Sequence, residues 1–206
     1  MVGFYNYTVW LTYIALFSGS VGIFFSCTGN PLVGIICLSI SGILDLFDGK
    51  VAKTKKSRTD DEKKYGIEID SLTDLVCFGV LPCCIGYAFG MTHWAYCLVF
   101  GLFICCGMIR LAYYNVLEGH RQEEGGKPGF LGVPITTSSM TAPLVFIICK
   151  LIPNGQQYVF AGYLLILGLL YILKIRLPKP NVKGAIIMSI ILVIIYTVGV
   201  IWVCLK

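Results

Sequence analysis

Four of the eleven acidic residues stand at helical spacing on either side of a short basic stretch. Asp45 and Asp48 are three apart at the end of one apolar run, and Asp70 and Asp74 are four apart at the start of the next. Either spacing puts its pair on one face of a helix. Gly49 and Ala52 continue the first face, and Gly66, four residues before Asp70, extends the second. Small residues there let a helix or a ligand approach the backbone closely. A carboxylate in a membrane helix costs about 2.5–3.5 kcal/mol at mid-bilayer, and less near the interface. Two of them about 4 Å apart repel by about 4 kcal/mol at an effective dielectric of 20. Four converging carboxylates therefore call for a cation, and the sequence offers no matching cluster of intramembrane Lys or Arg. Hard oxygen donors without His or Cys select Mg²⁺ or Mn²⁺, with Ca²⁺ also admitted. Two such ions bridged by carboxylates suit phosphoryl chemistry, because they clamp a phosphate or pyrophosphate and stabilise the attacking and leaving oxygens. Beside a membrane face, the fitting substrate is a lipid bearing an activated phosphate. Asp45 and Asp48 alone would equally read as interfacial helix caps or as partners of nearby lysines. The four together argue against that.

The elements that must position these residues are membrane helices. Of 206 residues, 57% are hydrophobic and 13% charged, and the mean hydropathy is +0.81. A soluble domain carries about a quarter charged residues. The balance disfavours a soluble enzyme, a nucleic-acid binder and a disordered tail. It predicts an all-α, polytopic integral membrane helix bundle of six to seven transmembrane helices. The ten cysteines lie mostly inside apolar runs, as at Cys83-Cys84 and Cys105-Cys106, and no CxxC pair is present. They read as small hydrophobes and not as metal ligands. The first apolar run has no Lys or Arg before it, so it reads as a retained helix and not a cleaved signal.

Apolar runs predict spans at 8–27, 31–49, 68–90, 93–117, 134–152, 156–174 and 184–205. Breaks carry turn residues, as at Gly29-Asn30-Pro31 and Pro153-Asn154-Gly155. With the 50–66 stretch in the cytoplasm, every one of the 16 basic residues except Lys150 and Lys206 falls on or toward that side. The positive-inside rule then sets the carboxylates at the cytoplasmic face. The 50–66 stretch itself reads as a solvated loop or a helix extension into the headgroups, with lysines able to attract anionic membrane lipids.

The full pattern is Asp45-x-x-Asp48-Gly49-x-x-Ala52-Lys53, then Gly66-x-x-x-Asp70-x-x-x-Asp74. It closely resembles the signature of the CDP-alcohol phosphotransferases, integral membrane enzymes that displace CMP from a CDP-linked substrate with an alcohol. That resemblance implies one membrane domain over residues 1–206 and a homodimer. It implies that Asp45, Asp48, Asp70 and Asp74 hold two divalent cations and that Asp74 is also the general base. Asp45, Gly49, Ala52, Lys53 and Gly66 would line the CDP pocket. The sequence departs from the family at Lys53, where arginine is usual. Lysine is a point charge that makes no bidentate phosphate contact. The stretch from Lys53 to Gly66 is also longer than usual, a change that loop closure tolerates.

Further stretches resemble the phosphatidylserine-forming members of that family: SLTDLVCFGVLP (71–82), RLAYYN (110–115), FLGVPITTS (130–138) and KIRLPKP (174–180). The resemblance implies CDP-diacylglycerol and L-serine as substrates, while the absence of a targeting signal suits a prokaryotic plasma membrane, with the active site on its cytoplasmic side. Serine carries a carboxylate, and Arg110 is the only basic residue predicted inside a membrane helix away from the flanking loops. It could grip that carboxylate or a substrate phosphate, or snorkel to the headgroups. Asn115 reads as a polar contact or a cap. Thr136, Thr137 and Ser138 follow Pro134 at a helix start, where they could hold an anionic group or simply cap the helix. Glycerol phosphate and inositol phosphate remain alternative acceptors. Rival classes are a divalent-cation transporter, disfavoured because the four carboxylates cluster near one face, and a catalytically inactive scaffold.

Overall fold

The computed structural model describes residues 3–52, 54–55, 57–124, 132–152 and 154–174. Every regular element among them is helical. A 3₁₀ turn, Tyr7–Val9, leads into α1 (Trp10–Cys27). The Thr28–Asn30 turn then reverses the chain into α2 (Pro31–Ala52), which opens on a proline, a residue whose missing N–H is harmless at a helix start. α3 (Asp60–Asp74) passes through a π-helical turn (Leu75–Val80) into α4 (Leu81–Ala88). These three form one continuous helix, Asp60–Ala88. α5 (Tyr96–Glu124), α6 (Thr137–Leu151) and α7 (Gln156–Ile172) complete six continuous helices among the described residues.

Four of them, Tyr7–Cys27, Pro31–Gly49, Asp60–Ala88 and Tyr96–Leu117, are long and apolar enough to cross a membrane. α6 and α7 are apolar but have only 15 and 17 residues. At 1.5 Å per residue they fall short of a hydrocarbon core about 30 Å thick. The predicted seventh span, 184–205, lies outside the described residues, as do Lys53 and most of the 174–180 segment. The third helix starts at Asp60, eight residues before the apolar run, so much of the 50–66 stretch is helix extension. The reason is a capping box: the Thr59 hydroxyl accepts from the Glu62 N–H at 3.2 Å, and the Glu62 carboxylate accepts from the Thr59 N–H at 3.0 Å. Three acidic residues in the first turn, Asp60, Asp61 and Glu62, also favour a helix start.

The core lies where α2, the π turn and α4 meet α5, α6 and α7, with Leu38, Phe78, Leu81, Phe103, Phe146 and Phe160 buried in it. The π turn has a visible origin. Pro82 has no N–H to give the Phe78 carbonyl four residues back. The buried Ser138 hydroxyl of α6 donates to that carbonyl at 3.3 Å. α1 is joined to the same turn by the Cys77 thiol, which donates to the Ala15 carbonyl at 3.4 Å.

α2 and α6 pack closely at Gly42. A methyl group there would stand 2.6 Å from Ser139 Cβ and against its hydroxyl. Gly42→Ala is expected to destabilise the fold by about 1–3 kcal/mol through overpacking. Gly101→Ala, on an exposed helix face with nothing within 4 Å, should be neutral or slightly stabilising. Thermal unfolding of both variants in detergent checks this, and equal midpoints would refute the packing account.

Candidate active site

α2 and α3 run antiparallel, and this turns two i-spaced pairs into two rungs. Asp45 meets Asp74, and Asp48 meets Asp70, carboxyl against carboxyl. Carboxylate oxygens of Asp45, Asp70 and Asp74 lie within 4.8 Å of one another. Asp74 is buried, while Asp45, Asp48 and Asp70 are half-buried. Thr12, a buried residue of α1, lies beside Asp48. Oxygens sharing one hard cation at about 2.0–2.6 Å sit no more than twice that distance apart. The cluster therefore has the size and donor chemistry to hold a metal ion.

The flanking small residues differ from one another. A Cβ on Gly49 would meet nothing within 4 Å, so this end of α2 is open. Gly66 is covered: a Cβ there would stand 2.7 Å from an Arg58 Nη2. Ala52 closes α2. Arg58 donates to the Glu62 carbonyl at 3.2 Å. The Glu62 carboxylate ties three segments together, accepting from Asn6 at 3.0 Å, from Lys55 at 2.8 Å and from the Thr59 N–H.

On the other flank, α5 runs antiparallel to α3. Asn115 donates to the Ser71 hydroxyl at 2.7 Å, beside Asp70, and Gly107 faces Ile135 and Leu75. Arg110 lies between them on α5 and is buried. Its Nε donates to the Val133 carbonyl at 3.0 Å, and its guanidinium lies 5.0 Å from the centre of the Tyr114 ring. Arg110 is thus no snorkelling residue. It braces the chain before α6, as does Tyr171, which donates to the Ile135 carbonyl at 2.9 Å.

Thr136 is the N-cap of α6 but makes no side-chain cap bond. The N–H groups of Thr137, Ser138 and Ser139 donate to the carbonyls of Pro134, Ile135 and Thr136, and the Ser138 hydroxyl serves Phe78. Three backbone N–H groups and the Ser138 hydroxyl at this helix start are therefore engaged within the chain. Sequence reasoning missed Thr12, Arg58 and Glu62. Only Glu62 had a local signal, the Thr59-x-x-Glu62 capping pattern.

Carboxylates crowded this closely oppose folding until a cation joins them. The expected behaviour is a melting temperature in detergent that rises with Mn²⁺ or Mg²⁺, by about 2.7 kcal/mol of stabilisation at a hundred times the dissociation constant. Asp70→Asn should melt higher than the parent without metal and lose most of the metal response. An Asp70→Asn protein that responds to metal as the parent does would remove Asp70 from the site.

A CDP-alcohol phosphatidyltransferase family model matches residues 5–205. The chain is 32% identical to a CDP-diacylglycerol–serine O-phosphatidyltransferase of Helicobacter pylori strain J99, over 88% of this chain and 78% of that one. It is 35% identical to a protein of that same description from Methanocaldococcus jannaschii, over 71% of this chain and 64% of the other. It is 29% identical to an archaetidylserine synthase of Methanothermobacter thermautotrophicus, over 82% and 67%. With a match over nearly its whole length and a carboxylate cluster built from two apolar helices, the chain belongs to the CDP-alcohol phosphatidyltransferase family of integral membrane enzymes.

Proposed function

We propose that this enzyme transfers the phosphatidyl group of CDP-diacylglycerol to L-serine, giving phosphatidylserine and CMP. The observation that carries the reading is the pairing of Asp45 with Asp74 and Asp48 with Asp70 across α2 and α3. Relatives named for serine transfer at about 30% identity support the acceptor. Residues 1–206 act as one membrane domain, with the carboxylates at the cytoplasmic face of a plasma membrane and two copies forming a homodimer.

Asp45, Asp48, Asp70 and Asp74 would hold two divalent cations, Mg²⁺ or Mn²⁺. Bound there, the ions would neutralise the pyrophosphate and stabilise charge on the attacking and leaving oxygens. Gly49, Ala52, Lys53 and Gly66 line the path of the nucleotide, with the open backbone at Gly49 giving it room. The Asp74 carboxylate takes the proton of the serine hydroxyl. The serine oxygen bonds to the lipid-linked phosphorus as the bond from that phosphorus to CMP breaks, and CMP leaves with the electron pair. Arg110, a buried cation on α5, attracts the serine carboxylate. Asn115, hydrogen-bonded to Ser71, fixes the wall between the two.

The relative named archaetidylserine synthase shares the serine half of this reading and differs in the lipid. The assay therefore varies both substrates. Purified protein in detergent with Mn²⁺ is expected to release CMP from CDP-diacylglycerol only when L-serine is present, and EDTA should stop the release. Asp74→Asn should lower turnover by about a hundredfold to ten-thousandfold while the protein keeps a cooperative melt. Release with glycerol phosphate or inositol phosphate but not serine would overturn the acceptor. Cation uptake into liposomes without any CMP release would favour the transporter.

A further inference from the structure

We propose that Arg58 binds the nucleotide-side phosphate of the CDP-linked substrate, an inference that rests on the phosphatidyl-transfer reading above. The guanidinium lies in the notch left by Gly66, where a Cβ would stand 2.7 Å from its Nη2. Gly66 precedes Asp70 by four residues on the same face of α3. The helix rises about 6 Å over that interval, so the guanidinium stands one turn to the loop side of the carboxylates.

The polarity of the substrate sets its direction in the site. The lipid tails belong to the bilayer and the nucleotide to water, so the phosphate bearing cytidine lies toward the loop. That is the side on which Arg58 sits. A guanidinium presents a planar fork that meets phosphate oxygens in pairs.

The placement of Arg58 is also prepared in advance. Its Nη2 donates to the Glu62 carbonyl at 3.2 Å. The first turn of α3 beneath it is held by the Thr59–Glu62 capping box and by Asn6 and Lys55 on the Glu62 carboxylate. The same contact neutralises CMP as its bond to the lipid phosphate breaks.

The test compares Arg58→Gln and Arg58→Lys with the parent in the CMP-release assay, using CMP and cytidine as competing inhibitors. For Arg58→Gln, the KM for CDP-diacylglycerol and the inhibition constant of CMP should rise about tenfold to a hundredfold. The inhibition constant of cytidine, which has no phosphate, and the KM for L-serine should not change. Arg58→Lys should recover part of the CMP affinity, because it keeps the charge and loses the fork. An unaltered CMP inhibition constant in Arg58→Gln overturns the proposal, and so does a loss shared equally by cytidine. Should Arg58→Gln lack a cooperative melt, Arg58→Lys decides alone: weaker CMP with unchanged cytidine supports the contact, and unchanged CMP removes it. A parent protein that releases no CMP with any alcohol brings down the functional reading and this inference with it. An active parent with indifferent Arg58 variants brings down only the inference.

Discussion

Like charges do not gather unless a structure compels them, and the meeting of Asp45, Asp48, Asp70 and Asp74 is what the rest of this fold has to enforce. Each rung depends on the register between α2 and α3, which a slip of one residue would destroy. That register is fixed from several sides. α1 contributes Thr12 to Asp48 and the Ala15 carbonyl to Cys77. α6 presses Ser139 against Gly42 and lends Ser138 to Phe78. α5 holds Ser71 through Asn115. Buried aromatic side chains such as Phe78 and Phe103 supply the cohesion against which these polar contacts set position.

The two flanks of the cluster are built differently. The loop flank is electrostatic and wet, with Glu62 joining Asn6, Lys55 and Thr59. The opposite flank is drier. There, Arg110 and Tyr171 hold backbone carbonyls of Val133 and Ile135, so side chains from α5 and α7 shape the entry to α6. A nucleotide suits the first environment, and a small zwitterion beside a partly desolvated guanidinium suits the second. On the function proposed above, such a division would give each substrate its own wall.

The carboxylates were legible in the sequence because helix geometry converts spacing directly into a face, and three- and four-residue intervals leave little freedom. The apolar runs likewise marked the first four long helices, though not the polar extension from Asp60, which the capping pattern at Thr59 and Glu62 encodes. What could not be read was who answers whom over long separations. Arg110 was recognisable as an unusual intramembrane cation, but its bond to the Val133 carbonyl depends on how α5 packs. Ser138 looked like an anion ligand at a helix start, and its service to Phe78 follows from a proline on another helix. Thr12 carries no local signal at all, being one hydroxyl in an apolar run.

The π turn between α3 and α4 has a consequence for how this chain can change over evolutionary time. One residue added to or removed from Leu75–Val80 would rotate everything beyond it by about 100° relative to the carboxylates. Asp70 and Asp74 would then face the site while Phe78, Leu81 and Ile85 left the core, or the reverse. Substitutions in this segment are therefore admissible where insertions and deletions are not. The link between α2 and α3, whose ends are set by Ala52 and by the Thr59 cap, has the opposite character and absorbs changes in length. Genealogies of this chain should accordingly place their gaps in the link and leave the stretch from Asp70 to Ala88 unbroken.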